Sequence, residues 1–216
     1  MEKEKLLELI KKARENTKKR NFAQSFDIIV NLQHLSLNKP EEQIEFFIQL
    51  NYGKGRDNKV CALVGGELIE EAKKFFDNVI TQDNFDKYDV KAIKKLSSEY
   101  DLFVAQGDIM AQVAKYFGRV FGPRGKMPNP KAGCVVPPKG ANLQAVAKKL
   151  KNTLKASAKK SLVMQITVGN EKMKDDEIAS NIIQFYKQLI NTLPQHENNI
   201  RNIKLKLTMG KSVELM

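Results

Sequence analysis

Hydrophobic and polar residues alternate in four segments near the two ends of the 216-residue chain. A period of two buries one face of a strand and leaves the other in water, as in antiparallel sheets. Helical stripes, one at Leu6, Ile10 and Ala13 and another that ends before Pro194, predict two helices beside these strands. The ends of the chain are therefore predicted to form one α+β domain. The alternating residues are Phe26, Ile28, Val30 and Leu32; Ile44, Phe46, Ile48 and Leu50; Leu162, Met164, Ile166 and Val168; and Ile203, Leu205 and Leu207.

The middle of the chain has a different pattern, in which short apolar runs are continuous. Strands buried on both faces by flanking helices have this composition, and helical patterns separate the runs in the order of a parallel α/β sheet. The predicted fold class is therefore α/β and α+β. An antiparallel-sheet domain comprises residues 1–58 and 157–216, and an α/β domain of residues 59–156 is inserted into it. The runs are Val60–Val64, Val79–Ile80, Leu102–Ala105 and Cys134–Val136, and the helical patterns are Glu67–Phe76, Val90–Glu99, Ile109–Phe117 and Asn142–Leu154.

The composition favours a polyanionic partner. There are 37 Lys and Arg against 25 Asp and Glu, a net charge of +12, and the sequence pI is near 9.5. Such a surface attracts phosphate-rich molecules or anionic membranes, but no apolar run approaches the roughly 20 residues that span a bilayer. Cys61 and Cys134 are too far apart for a disulfide framework or a zinc-finger spacing. We expect a cytoplasmic protein without a membrane partner.

The excess positive charge lies in one tract. Between Asp108 and Glu171 there is no acidic residue. A solvated basic face is one interpretation, and a nucleic acid is the other, since Lys and Arg that neutralise phosphates release counterions. The length of the acid-free tract favours the nucleic acid. Its basic residues are Lys115, Arg119, Arg124, Lys126, Lys131, Lys139, Lys148, Lys149, Lys151, Lys155, Lys159 and Lys160.

An enzyme is the weaker alternative. His34 and His196 stand without a nucleophile motif beside them. The glycines of Val64–Leu68 lack the spacing of a phosphate-binding loop, and Asp175–Glu177 open a helix, where carboxylates act as caps. The sequence predicts no catalytic residue, cofactor or metal site.

The segment FGPRGKMPNPKAG, Phe121–Gly133, contains three prolines and three glycines. It is predicted to be a stiff loop that is neither helix nor strand. Its cations, Arg124, Lys126 and Lys131, have two interpretations that stay open: secondary contacts to RNA phosphates, or parts of a rigid connector.

Four strings together, FGPRGKMPNPKAG, RNFAQSFDI, VGNEKM and LTMGKSVEL, resemble the L-one family of large-subunit ribosomal proteins in its archaeal form. The resemblance spans nearly the whole chain. It implies an RNA-binding domain made from both termini, an inserted Rossmann-like domain, and a location on the cytoplasmic ribosome. It also implies binding to ribosomal RNA of the mobile lateral stalk, help in releasing deacylated tRNA from the exit site, and translational repression through an operator in the chain's own mRNA. Such a protein is expected to be monomeric when free.

The resemblance also implies an RNA-binding site, carried over by matching positions. Two positions depart from the family: Asn170 stands where many relatives have lysine, and Lys211 follows the TMG string where proline is usual. The implied mechanism is recognition of a folded RNA by shape, with 2′-hydroxyl and phosphate contacts. A DNA-binding protein and a nucleotide-dependent enzyme remain as alternatives. The matched site residues are Phe22, Ser25, Asp27, Gly169, Asn170, Thr208, Met209 and Gly210.

Overall fold

The computed structural model describes residues 3–138, 142–159 and 161–215. The chain divides into two compact units. The terminal unit is Met1–Arg56 with Leu154–Met216, and the inserted unit is Asp57–Thr153.

The helices and strands of the described residues are numbered in chain order. The helices are α1 (Lys3–Glu15), α2 (Ile69–Phe75), α3 (Val90–Glu99), α4 (Met110–Arg124), α5 (Leu143–Lys151) and α6 (Asp175–Thr192). The strands are β1 (Ser25–Leu32), β2 (Ile44–Gln49), β3 (Val60–Val64), β4 (Asn78–Thr81), β5 (Leu102–Gln106), β6 (Val135–Val136), β7 (Thr153–Ala158), β8 (Val163–Asn170), β9 (Ile200–Leu207) and β10 (Val213–Glu214).

The terminal unit contains a four-stranded antiparallel sheet in the order β10-β9-β1-β8. Burial alternates at every residue of β1, which confirms the period-two prediction. The buried face belongs to the same core as the apolar stripes of α1 and α6, which include Ile10 and Phe185. Each large apolar side chain buried in this way contributes about 1.5–3 kcal/mol relative to exposure. The opposite face presents half-exposed side chains such as Asp27 and Lys206.

The inserted unit contains a parallel sheet in the order β4-β3-β5-β6. All five residues of β3 are buried, as a continuous apolar run predicts. The helices pack in two pairs, α2 with α5 and α3 with α4. Strands from the two termini in one antiparallel sheet, with a parallel α/β sheet inserted between them, confirm the predicted fold class.

The segment Phe121–Gly133, which we call the basic loop, differs from the prediction in its first four residues. Helix α4 does not end near Phe117 but runs to Arg124, with Pro123 in its last turn. Phe121 is fully buried and extends the apolar stripe of Val113 and Phe117, so packing outweighs the one backbone hydrogen bond that proline forfeits. The helix ends at Gly125, which has a φ of 63°, with Lys126 N–H donating to Phe121 O at 2.9 Å.

Strand β7 was not predicted. The expected helix Asn142–Leu154 ends at Lys151, and Thr153–Ala158 form β7, which pairs with β2. Its buried positions are Leu154, Ala156 and Ala158. Alanine is common in helices and depleted in strands, so this alternation did not indicate a strand.

Candidate nucleic-acid interface

The predicted site residues meet at one end of the antiparallel sheet. Because β1 runs opposite to β8 and β9, the beginning of β1 lies beside the ends of both neighbours. Ser25 is paired with Asn170, and Phe26 is paired with both Gly169 and Leu207. Segments more than 140 residues apart in sequence therefore form one edge, which we call the sheet end.

Backbone and side-chain hydrogen bonds fix the sheet end from β1 to the turn after β9. The N–H of Ser25 donates to Thr208 Oγ1 at 3.0 Å, and the N–H of Thr208 donates to Ser25 O at 3.1 Å. The N–H of Met209 donates to Gln24 Oε1 at 3.1 Å, and Gln24 is 1% exposed. Met209 itself is 59% exposed. The turn thus holds a large flexible apolar side chain out into solvent from a fixed backbone.

Gly210 is required by close packing. A Cβ built on it would lie 2.2 Å from Thr17 Oγ1 and 3.3 Å from Leu207 Cβ. The Thr17 hydroxyl in turn donates to Ala13 O at 2.8 Å, at the end of α1. The turn after β9 is therefore seated directly on the segment that follows α1.

A second turn, Glu171–Lys174, follows β8 and is held by Arg14. The guanidinium donates to Glu171 O at 2.8 Å, to Met173 O at 2.9 Å and to Asp175 Oδ1 at 2.9 Å. It also lies over the Phe26 ring, 5.0 Å from the centroid. One side chain of α1 thereby ties together β1, the turn after β8 and the beginning of α6.

Of the acidic residues at the beginning of α6, Glu177 has the capping role expected from the sequence, whereas Asp175 and Asp176 pair with Arg14 and Lys3. Glu177 Oε2 accepts from the N–H of Lys174 at 3.2 Å. Asp176 pairs with Lys3 at 2.8 Å, and the hydrogen bond from this lysine lowers the pKa of the Asp176 carboxyl. These carboxylates stabilise a helix N-terminus.

The half-exposed face of the sheet continues from the sheet end as a groove of about 350 Å³. Thr167 Oγ1 donates to Asp27 Oδ1 at 2.7 Å across the β1–β8 pair. Lys206 lies on the other side of Asp27, as its register partner on β9. A carboxylate, a hydroxyl and an ammonium group side by side can bind both the donors and the anionic groups of a sugar–phosphate backbone. The groove is lined by Asp27, Ile29, Gln165, Ile166, Thr167 and Lys206.

The three remaining predicted residues differ in how far they are exposed to solvent. Phe22 precedes β1 and is 53% exposed, so its ring is accessible for stacking. Gly169 is buried. A Cβ at this position would lie 3.0 Å from Ile178 Cγ1, which is a tight contact. Asn170 is half-exposed, and its Oδ1 accepts from the N–H of Lys172 at 3.2 Å. Gly169 therefore shapes the sheet end from within.

Two cations of the basic loop hold the end of α3. Arg124 donates to Lys94 O at 2.9 Å, to Ser98 Oγ at 3.1 Å and to Ser97 Oγ. Lys126 Nζ donates to Tyr100 O at 2.5 Å, and burial lowers the pKa of this ammonium. Lys131 is exposed. RNA contact by these three residues stays a prediction. Lys139 and Lys160 of the basic tract lie outside the described residues.

Sequence reasoning missed two cations at the sheet end. Lys54 and Arg56 lie in the segment after β2 and line a cleft of about 310 Å³ with Ser25, Thr167 and Asn170. The available signal was the Gly53-Lys54-Gly55-Arg56 string, in which glycines alternate with cations. Arg14 and Gln24 were also missed, because their partners lie about 150 residues away along the chain.

The features that favoured an enzyme have structural explanations. The N–H of Gly65, at the βα turn, donates to Gln106 Oε1 at 2.9 Å, so this amide has an internal partner. His34 and His196 are exposed. Among residues 3–138, 142–159 and 161–215, no three His, Cys, Asp or Glu side chains are placed to hold a metal ion. No helix in this part of the chain is long and apolar enough to cross a bilayer.

Comparison with known proteins gives a single result over nearly the full length. The model of the Ribosomal protein L1p/L10e family matches residues 10–211. The large ribosomal subunit protein uL1 of Nanoarchaeum equitans is 40% identical over 210 residues, 96% of this chain and 97% of that protein. The proteins of the same name from Methanothermococcus thermolithotrophicus and Pyrococcus horikoshii are 36% and 34% identical, and the alignments cover 100% and 99% of this chain and 99% and 96% of those proteins.

Proposed function

Since the chain belongs to the Ribosomal protein L1p/L10e family, we propose that it is a component of the large ribosomal subunit and binds ribosomal RNA of the mobile lateral stalk through the sheet end. The interlock of Ser25 with Thr208 is the observation that supports this most directly. It builds a rigid edge from both ends of the chain, beside an exposed Met209 and a polar groove. A preformed surface binds with a smaller loss of conformational entropy than one that must order on contact.

The groove suits RNA better than DNA. A carboxylate such as Asp27 repels phosphate, and one of its oxygens already accepts from Thr167, so its remaining acceptor capacity suits a further hydrogen-bond donor. The 2′-hydroxyl of ribose is such a donor, and the wide, shallow minor groove of an RNA helix displays it. Lys206, adjacent to Asp27 across the β1–β9 pair, can meet the neighbouring phosphate. The pair thus recognises the sugar–phosphate backbone of a folded RNA rather than a base sequence.

Two further roles would follow from binding to the stalk RNA: repression of translation and help in releasing tRNA. A segment of the chain's own mRNA that folds like the stalk fragment would compete for the same surface, and its binding would repress translation. A stalk position would also bring the protein near deacylated tRNA as it leaves the exit site. The proposed location is the ribosome, and the proposed activity is binding without catalysis.

The test is a titration of the full chain with a fragment of the stalk RNA, a random RNA and a DNA duplex of equal length. We expect binding to the stalk fragment that survives an excess of random RNA. Thr208→Ala should weaken it at least tenfold, because it removes the acceptor for Ser25 N–H and frees the turn. Met209→Ala should weaken it with no change in stability.

The matched control is Thr192→Ala, at the end of α6 and away from the sheet end. Equal affinity for the three nucleic acids would refute the proposal. A preference for the DNA duplex would favour a DNA-binding protein instead.

A further inference from the structure

We propose that the cleft beside residues 51–56 is a second RNA contact, in which Lys54 and Arg56 bind one phosphate of the backbone. The inference rests on the proposed function and adds residues that the resemblance did not assign. We call this cleft the phosphate cleft. It is lined by Ala23, Ser25, Lys54, Arg56, Thr167 and Asn170.

The backbone of residues 51–56 is bent onto the sheet end by two glycines. Gly53 and Gly55 have φ values of 64° and 77°, in the left-handed region that favours glycine. A Cβ on Gly55 would lie 2.4 Å from Asn170 Cβ and 3.2 Å from Met173 Sδ. The loop therefore lies in direct contact with the end of β8, and Lys54 and Arg56 flank the point of contact.

A buried amide anchors the loop before any ligand arrives. Asn181 is 0% exposed, and its Nδ2 donates to Gly53 O at 2.7 Å and to Val168 O at 2.9 Å. One residue of α6 thus joins the loop to β8. Gln184 adds a second anchor, because its side chain accepts from Asn51 N–H at 3.1 Å and donates to Gln49 O at 2.7 Å. The two cations are held on a rigid frame, which favours a specific contact over loose attraction.

The lining of the cleft has the chemistry of a backbone phosphate site. It contains two cations, two hydroxyls and an amide, and no acidic side chain. An arginine guanidinium can bind two phosphate oxygens at once, and a lysine adds a point charge.

The position of the cleft favours a polymer over a single small anion. Thr167 lines both the phosphate cleft and the groove that contains Asp27 and Lys206. One strand of RNA can therefore place a ribose at Asp27 and a nearby phosphate between Lys54 and Arg56. A free nucleotide is the other source of phosphate, and the experiment distinguishes the two.

The first arm measures the affinity of the full chain for the stalk fragment between 50 and 200 mM salt. Arg56→Ala and Lys54→Ala should each weaken binding about tenfold at the lower salt. Each should also reduce the slope of log K against log salt by about 0.7–0.9, the contribution of one neutralised phosphate. The matched controls are Arg201→Ala and Lys187→Ala, exposed cations of the same unit. Arg201 lies at the opposite end of β9, roughly 20 Å from Leu207, and both controls should keep the wild-type affinity and slope.

The second arm changes the RNA. Replacing one phosphate at a time with a neutral methylphosphonate should identify one linkage at which wild type loses about tenfold. In Arg56→Ala, the methylphosphonate at that linkage should cause no further loss of affinity relative to the unmodified fragment. This result cannot come from a variant that is merely misfolded, because the variant must still bind the unmodified fragment and respond to the other linkages.

The third arm titrates wild type with inorganic phosphate and with adenosine monophosphate. Weak or undetectable binding is expected for both. Micromolar nucleotide binding that Arg56→Ala abolishes, with RNA affinity unchanged, would overturn the inference in favour of a nucleotide site.

The inference and the proposed function fail in different ways. If Arg56→Ala and Lys54→Ala match their controls while wild type still prefers the stalk fragment, the phosphate cleft is refuted and the proposed function stands. If wild type has no preference for the stalk fragment, both are refuted. Gly55→Ala, which keeps both cations but cannot seat the loop on Asn170, should reproduce the loss of affinity.

Discussion

The sheet end and the basic loop both contain distinctive strings of this chain, but their side chains are placed differently. The sheet end leaves side chains exposed, whereas the basic loop turns two of its cations back onto the protein. At the sheet end, side chains such as the buried Gln24 and the half-buried Arg14 take up backbone hydrogen bonds, whereas Met209 and the polar groove are exposed. In the basic loop, Arg124 donates to the carbonyl of Lys94 within α3, and Lys126 donates to the carbonyl of Tyr100, which follows that helix. Cations that stand close together in the sequence can therefore differ in what they contact, and two of the three cations of the basic loop bind oxygen atoms of the inserted unit.

The largest expected effect is at Gly210. Gly210→Ala places a methyl group 2.2 Å from Thr17 Oγ1, so the turn after β9 must move away from its seat. Overpacking costs about 1–3 kcal/mol, and we expect affinity for the stalk fragment to fall roughly 10- to 100-fold. The double variant with Thr17→Ala, which removes the obstructing hydroxyl, should recover much of the loss. Binding of both proteins is measured by titration, and no recovery would show that the seat on Thr17 is not what positions the turn.

Arg14 should have the next largest effect, on stability as well as on binding. Arg14→Ala leaves three acceptors without their donor and should reduce the free energy of unfolding by about 2 kcal/mol. Affinity for the stalk fragment should fall about tenfold, because the turn after β8 is no longer fixed.

The salt dependence separates this role from direct contact. Arg14 donates to three protein oxygens, and we expect it to touch no phosphate. The slope of log K against log salt should therefore stay at the wild-type value in Arg14→Ala. Arg14→Lys should be intermediate in stability. A reduced slope would show instead that Arg14 meets the RNA.

Arg124 sharpens the comparison from the other side. Arg124→Ala removes three hydrogen bonds at the end of α3 and should lower the free energy of unfolding of the inserted unit by about 1–2 kcal/mol. RNA affinity should stay within twofold of wild type. Lys131→Ala, an exposed cation of the same loop, is the matched variant for stability and should be neutral. If Arg124→Ala weakens RNA binding and reduces the salt slope, the prediction of a secondary RNA contact at Arg124 is confirmed.

The smallest effect is a pH dependence at Lys126. Burial lowers the pKa of this ammonium in the folded state below its usual 10.5. The unfolded chain then binds more protons than the folded one, so the contribution of Lys126 to stability should rise as the pH approaches 10.5 from below. The measurement is the free energy of unfolding between pH 8 and 10 in wild type and Lys126→Met. Identical pH profiles in the two proteins would contradict it.

The sequence predicted the sheets because their cores follow simple periods. Alternation along β1 reflects burial of one face of the strand, and continuous apolar character along β3 reflects burial of both faces. It failed where small residues replace large ones, as in the alanines of β7, and where tertiary packing extended α4 through Pro123.

The site was predicted only as far as matched strings reach. Thr208 and Met209 came from the resemblance, whereas nothing local indicated that Arg14 would bind Glu171 O or that Asn181 would hold Gly53. Such hydrogen bonds join residues more than 120 positions apart, and only the folded chain brings them together. Lys54 and Arg56 were missed for the same reason.

The central position of β1 has a consequence for biosynthesis. Both of its neighbours, β8 and β9, come from the last quarter of the chain, whereas the inserted unit is contiguous and is completed before either of them. At roughly 5–20 residues per second, β1 leaves the synthesising ribosome several seconds before either partner exists. A truncated product that lacks β8 and β9 therefore lacks the sheet end, and only the finished polypeptide can present it.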